Sequence, residues 1–231
     1  MKEKIVAIVP GAGIGRRLGP GTNKTFEVLG GKPLVARVLE TLESVEEIDE
    51  IIPVIKDEYM ASAAALIEEY GITKVRRIAP GGAERQDSVF HGLKLVENPD
   101  SIVVIHDGAR PLVEPVHIRN AITSLEGCDG VVVAVPVKDT VKEAVGGMIR
   151  RTLDRGTLWA VQTPQVFRFR VLYAAYEKAM QESFYATDDS ALVERSGGAV
   201  RIVQGAYTNI KITTPEDLLA AEGFLKAGGL Q

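Results

Sequence analysis

KIVAIVPGAGIGRRLG, Lys4 to Gly19, opens the chain with an apolar run that breaks into a glycine-rich turn. The run reads as a buried strand, and a glycine turn after a first strand is a backbone cradle for phosphates. Neither familiar cradle fits. The dinucleotide fingerprint G-x-G-x-x-G needs its third glycine where Arg16 stands; the glycine comes one place early, at Gly15. The Walker spacing G-x-x-x-x-G-K-[ST] is absent too. What remains is a glycine loop beside Arg16, Arg17 and Lys24, which suits a highly anionic, unsymmetrical ligand.

Outward from this stretch, further apolar runs rich in Val and Ile recur: IDEIIPVI, KVRRIAP, SIVVIHD and GVVVAVPV. Their near-continuous hydrophobicity suits parallel strands covered on both faces. Between them lie PLVARVLETLESV, EYMASAAALIEEYG, RQDSVFHGLKLV and PVHIRNAITSLEG, with apolar residues at helical spacing. This alternation predicts an α/β fold with a doubly wound, mostly parallel, Rossmann-like sheet, whose strand-to-helix turns share one edge. After Val135 the rhythm breaks. PVKDTVKEAVGGMIRRTLDRGTLWA, ending at Ala160, reads as a β-hairpin around Gly146-Gly147 that leaves the sheet. Helices follow through FRVLYAAYEKAMQES and from near Thr187 to Gly197-Gly198. The last helix has Thr214, Pro215 and Asp217 as its start signals. The expected organisation is a single domain over residues 1–231 with a β-arm at about 137–158.

The 231 residues are 45% hydrophobic, enough for one large core. A net charge of −4 without a basic block argues against a nucleic-acid partner. The single cysteine, Cys128, excludes a disulfide framework and a cysteine zinc cluster. No signal-type segment or membrane-length apolar run is present, so the chain reads as cytoplasmic with no membrane partner.

Polar clusters stand at strand ends and turns: the opening loop, PGGAERQDS from Pro80, HDGARP from His106, KDT from Lys138, Asp154-Arg155, TPQ from Thr163, TDD from Thr187, and Lys211. His106 is expected to hydrogen-bond structurally rather than act as a base, and no Ser-His-Asp or Cys-His set is apparent. Two glycine turns, a carboxylate at a strand end and separated cations fit a reaction between two anions. Nucleotidyl transfer needs charge neutralisation more than proton abstraction. Asp107 is expected to hold Mg²⁺ together with triphosphate oxygens.

The ordered set PGAGIGRRLG, NK, GGAERQDSV, HDGARP, PVKDT, DRGTLW, QTPQVF, TDDSALVE and NIKIT resembles the 2-C-methyl-D-erythritol 4-phosphate cytidylyltransferases, nucleotidyltransferases of the non-mevalonate isoprenoid pathway. The resemblance spans Lys4 to Leu225. It implies that CTP sits on Gly11, Ala12, Gly13 and Gly15, with backbone amides facing phosphate oxygens. Arg17 and Lys24 would stabilise charge on the α-phosphate, while Gly82 and Ser88 lie near the cytosine. Asp107 would lie between metal, ribose and sugar phosphate, with Arg110 on the same turn. It further implies a homodimer with shared sites, in which the arm carries Thr140 and Arg155 to methylerythritol phosphate held by the partner. Thr163, Thr187 and Lys211 would complete that pocket, and Arg155 and Lys211 would orient its phosphate.

Gly11, Asn23, Thr25, Ala83 and Gly108 depart from the commonest family pattern. The rival reading is a ribitol 5-phosphate cytidylyltransferase; its relatives begin the first loop with L-A-G-G and lack the D-R-x-x-L-W run seen here from Asp154.

Overall fold

A computed structural model describes residues 3–13 and 24–228, except the side chain of Lys24. In chain order its elements are β1 (Ile5–Pro10), β2 (Val28–Leu29), β3 (Lys32–Pro33), α1 (Leu34–Glu43), β4 (Glu50–Ile55), α2 (Met60–Glu69), β5 (Ala79–Pro80), α3 (Arg85–Leu93), β6 (Ile102–Ile105), α4 (Pro115–Thr123), β7 (Gly130–Pro136), β8 (Lys142–Val145), β9 (Met148–Thr152), β10 (Trp159–Arg168), α5 (Phe169–Gln181), α6 (Asp189–Arg195), β11 (Val200–Gln204) and α7 (Pro215–Gly228).

The central sheet has the order β11-β7-β10-β6-β1-β4-β5. Only β10 runs against its neighbours, pairing antiparallel with both β6 and β7. Alternation within each strand explains why the runs are apolar throughout. On β1, Ile5, Ala7 and Val9 pack with α1 and α4 residues such as Val35, Leu39 and Ile118. Val6 and Ile8 pack on the other face with Val89, Leu172 and Leu192 from α3, α5 and α6. A sheet buried on both faces requires apolar residues at every position. A third cluster, around Leu29, Leu34 and Ile212, seats α7. The predicted start of α7 holds: Asp217 Oδ2 accepts from the amides of Thr213 and Thr214 at 2.8 and 2.9 Å.

Two expectations are corrected and a third is refined. KVRRIAP contributes only Ala79 and Pro80 to β5, plus one bridge from Val75 to Ile51. Two of its three cations turn away to fixed partners, Lys74 to the carbonyls of Glu43 and Val45, and Arg77 to Glu50 and Glu97. The hairpin segment does not run to Ala160 as appendage, because β10 begins at Trp159 and is a sheet strand that the sequence reading left unassigned. The helix near Thr187 starts at Asp189, with Asp188 as its N-cap: Asp188 Oδ1 accepts from the Ala191 amide at 3.1 Å.

The hairpin β8–β9 forms its own two-stranded sheet. Gly146 and Gly147 take positive φ of 57° and 79°, as a tight two-residue turn requires. Most of the hairpin is exposed, including the apolar Val145, Met148 and Ile149.

Candidate active site

The chain leaves β1 in one direction toward β4 and β5, and later enters β6 on the other side of β1. Such a reversal of strand order opens a crevice beyond the carboxyl ends of the strands. Three turns meet there. The His106 amide donates to Ile8 O at 3.0 Å and the Gly108 amide to Pro10 O at 3.2 Å, binding the acid turn to the first loop. The second glycine turn touches the first: a Cβ on Gly81 would fall 2.5 Å from Ala12 Cβ, so only glycine allows this approach. Gly82 and Ser88 are brought together, the Gly82 amide donating to Ser88 Oγ at 3.0 Å.

Asp107 is nearly buried and is surrounded by cations. Its Oδ1 accepts from Arg85 Nε at 3.0 Å, and its Oδ2 lies 2.8 Å from Lys211 Nζ and 3.6 Å from Arg110 Nε. Burial alone pushes this carboxyl up, but Arg85, Lys211 and Arg110 together outweigh it and hold the pKa well below the usual carboxylate range. At 3.6 Å the Arg110 contact is an ion pair without a hydrogen bond, which leaves its buried Nε–H without an acceptor among the described residues. Asn209, two residues before Lys211, is itself fixed: its backbone carbonyl accepts from Arg110 Nη1 at 2.8 Å, and its side-chain amide donates to Thr163 O at 2.9 Å. A cavity of about 400 Å³ opens over this cluster, lined among others by Arg85, Asp107, Arg110, Thr163, Thr187 and Lys211.

His106 is structural, as the sequence suggested. Its Nδ1 lies 3.0 Å from Thr163 Oγ1 and its Nε2 3.2 Å from Arg110 O; Thr163 Oγ1 also accepts from the Asp107 amide. The carbonyl assigns the proton to Nε2 and leaves Nδ1 as acceptor. Burial lowers its pKa to about 4, against the favourable Arg110 carbonyl and Asp107 charge. The unfolded chain therefore binds a proton between pH 6.5 and 4 that the folded chain refuses, so stability is full above pH 6.5 and falls as pH drops toward 4. The loss is about 3 kcal/mol over that window. Urea unfolding at pH 7 and pH 4 should show it in the wild type and not in His106→Gln. Equal losses in both would refute the assignment.

Of the other expected residues, Thr163, Thr187 and Lys211 line the same cavity as Asp107 and Arg110. Thr140 and Arg155 do not line it; both are exposed at the base of the hairpin, where Arg155 Nη1 donates to Lys138 O at 2.7 Å. Gly15 and Arg17 lie outside the described residues, as does the Lys24 side chain. Gly11 is corrected. Its amide donates to Val54 O at 2.8 Å, continuing the β1–β4 ladder, so that amide does not face a phosphate oxygen. Ala12 and Gly13 follow, the former buried against Gly81 and the latter exposed. The sequence reading missed Arg85 and Asp189. A cation opening the helix after the second glycine turn was the available signal for Arg85.

The expectation for Asp107 is a Mg²⁺ held together with triphosphate oxygens, and the side chains nearest this carboxylate are cations rather than further metal donors. Both carboxylate oxygens already face cationic groups, and among the described residues no group of three His, Cys, Asp or Glu is placed to hold a metal.

A family model described as 2-C-methyl-D-erythritol 4-phosphate cytidylyltransferase matches residues 5–227. The chain belongs to this family. The 2-C-methyl-D-erythritol 4-phosphate cytidylyltransferase of Geobacter metallireducens is 47% identical over 226 residues, covering 96% of this chain and 97% of its own. That of Bacillus velezensis is 44% identical over 223 residues, 96% of each chain. A crystal structure of 4-diphosphocytidyl-2C-methyl-D-erythritol synthase from Anaerococcus prevotii superimposes with a TM-score of 0.86 at 34% identity, covering 97% of each chain. As a member of the cytidylyltransferase family, the chain handles two of its departures locally. Thr25 is buried and its Oγ1 donates to Gly11 O at 3.0 Å, tying the turn after the first loop to that loop. Gly108 sits where a Cβ would be 3.3 Å from Pro10 O, tight against the same loop.

Proposed function

We propose that this chain joins CTP and 2-C-methyl-D-erythritol 4-phosphate to give 4-diphosphocytidyl-2-C-methyl-D-erythritol and pyrophosphate, in the cytoplasm, in isoprenoid precursor synthesis by the non-mevalonate pathway. Family membership supports the reaction, and the relatives are named for it rather than for ribitol 5-phosphate. The observation that carries the site is the Arg85–Asp107–Arg110–Lys211 cluster beside two touching glycine turns.

An oxygen of the sugar phosphate attacks the α-phosphorus of CTP, a P–O bond forms, and the bond to the departing pyrophosphate breaks. The nucleophile is already ionised at neutral pH, so no general base is needed, in keeping with the occupied ring nitrogens of His106. Lys211 holds the sugar phosphate, with Arg110 beside it in the cavity wall. Asp107 and Thr187 receive the polyol hydroxyls. Ala12, Gly13 and Gly15 face the triphosphate, and Gly82 and Ser88 the cytosine. Arg17 and Lys24 neutralise charge developing on the α-phosphate. Mg²⁺ would arrive with CTP and would neutralise triphosphate charge there. Thr140 and Arg155 act in a second copy of the chain, delivered by the arm, whose exposed Val145, Met148 and Ile149 suit burial against a partner.

The test is pyrophosphate release by the purified protein from CTP with methylerythritol phosphate or ribitol 5-phosphate. Turnover is expected with the first only. Arg17→Ala and Lys24→Ala should each remain folded and lose on the order of a hundredfold in kcat, near 3 kcal/mol of transition-state stabilisation. Preference for ribitol 5-phosphate would overturn the substrate reading, and full turnover in either variant would remove that residue's role.

A further inference from the structure

From Asp107 a chain of charges runs back from the cavity into the core. Arg85 opens α3 and reaches in two directions. Its Nε donates to Asp107 Oδ1 at 3.0 Å, and its terminal nitrogens grip Asp189 bidentately, Nη1 to Oδ1 at 3.1 Å and Nη2 to Oδ2 at 2.7 Å. Asp189 is fully buried at the start of α6, and the Tyr176 hydroxyl donates to its Oδ1 in a very short hydrogen bond. Tyr176, buried in the core, stacks on Phe90 with ring centroids 5.7 Å apart. Burial opposes the charge on Arg85, but Asp189 and then Asp107 outweigh it and raise its pKa well above the usual value. Burial followed by the Asp189 charge likewise raises the Tyr176 pKa, which keeps its hydroxyl a donor.

We propose that Arg85 is a positioning residue for the sugar-phosphate half of the site, oriented from behind by Asp189 and Tyr176. This rests on the reading above that Asp107 and Lys211 hold the sugar phosphate. The argument is one of competing partners. Asp189 occupies both terminal nitrogens of the guanidinium and leaves only Nε for Asp107. Asp107 is thus restrained through Oδ1 while Oδ2 remains available to Lys211 and Arg110. Without the Asp189 charge, the planar fork of Arg85 turns onto Asp107 alone and takes up both of its oxygens. Lys211 and Arg110 then lose the carboxylate that aims them. Asp188 and Ser190 line the cavity and Asp189 does not, so Asp189 acts only through Arg85.

Asp189→Asn should raise the KM for methylerythritol phosphate about tenfold and leave the KM for CTP within twofold. Arg85→Gln should do the same, and Arg85→Lys should not rescue it, because an ammonium cannot bridge two carboxylates as a fork does. Since both residues act through one contact, the double variant Arg85→Gln/Asp189→Asn should be no worse than Arg85→Gln alone. The double variant also removes the buried carboxylate and its guanidinium partner together, which is better tolerated than stranding the carboxylate's partner, so it keeps the experiment decisive if Asp189→Asn fails to fold. A merely structural role would lower the active fraction and kcat with both KM values unchanged. An active wild type whose double variant keeps the normal KM for methylerythritol phosphate, or shifts both KM values equally, overturns this proposal alone. A wild type that releases no pyrophosphate from the two substrates refutes the reading of the site instead.

Discussion

Mixing an Arg155→Ala chain with a Lys211→Ala chain is expected to restore about half of the wild-type activity per heterodimer, where each parent homodimer is nearly inactive. The reasoning is geometric. Lys211 lies in the body of the protein, 2.8 Å from Asp107, whereas Arg155 stands exposed at the base of the hairpin and takes no part in its own chain's cavity. If each arm serves the partner, one site of a heterodimer carries both defects and the other carries neither. A closed two-fold dimer then has one competent site of two. The parents fail because a dianionic phosphate deprived of one charge-assisted partner is poorly held and poorly aligned. Verified heterodimers as inactive as their parents would mean that each site is built within one chain, and the exchanged arm would have to be abandoned.

Asp107→Asn should be costly for both stability and turnover. The carboxylate stands between three cations, of which Arg110 keeps 12% of its side-chain surface exposed and Lys211 36%. Breaking a buried ion pair by removing one partner costs about 3–5 kcal/mol, and the exposure of Lys211 places the loss near the low end, about 3 kcal/mol. The released cations repel one another and splay, so the KM for methylerythritol phosphate should rise and kcat/KM fall by at least about a hundredfold. Urea unfolding and pyrophosphate release measure the two effects. If the carboxylate merely quenched excess positive charge, the variant would bind the sugar phosphate more tightly, and that result would refute the aiming role.

Much of the frame was legible because its physics is local. KIVAIVP, SIVVIHD and GVVVAVPV announced strands covered on both faces, and Ile5, Ala7 and Val9 do pack opposite to Val6 and Ile8. Gly146-Gly147 announced the hairpin turn and Thr214-Pro215 the last helix. β10 escaped notice because its apolar run is interrupted by Gln162, Thr163 and Pro164, where its pairing with β7 shifts register. That irregularity carries Gln162 and Thr163 to the cavity wall, so the feature that hid the strand also serves the site.

By itself the sequence determined which candidate groups stand at strand ends and turns: two glycine turns, an acid at a strand end, and cations spread from Arg17 to Lys211. A strand's periodicity and a turn's glycine depend on near neighbours, and the order of motifs is written in the chain. Only the tertiary structure decided how those groups are paired. It turned the Gly11 amide into the sheet, surrounded Asp107 with cations, and set Arg85 against both Asp107 and Asp189, the latter 104 positions from Arg85 in sequence. Such pairings exist because burial makes an unmatched charge too costly to leave alone, and burial is a property of the packed molecule that no local stretch of sequence expresses.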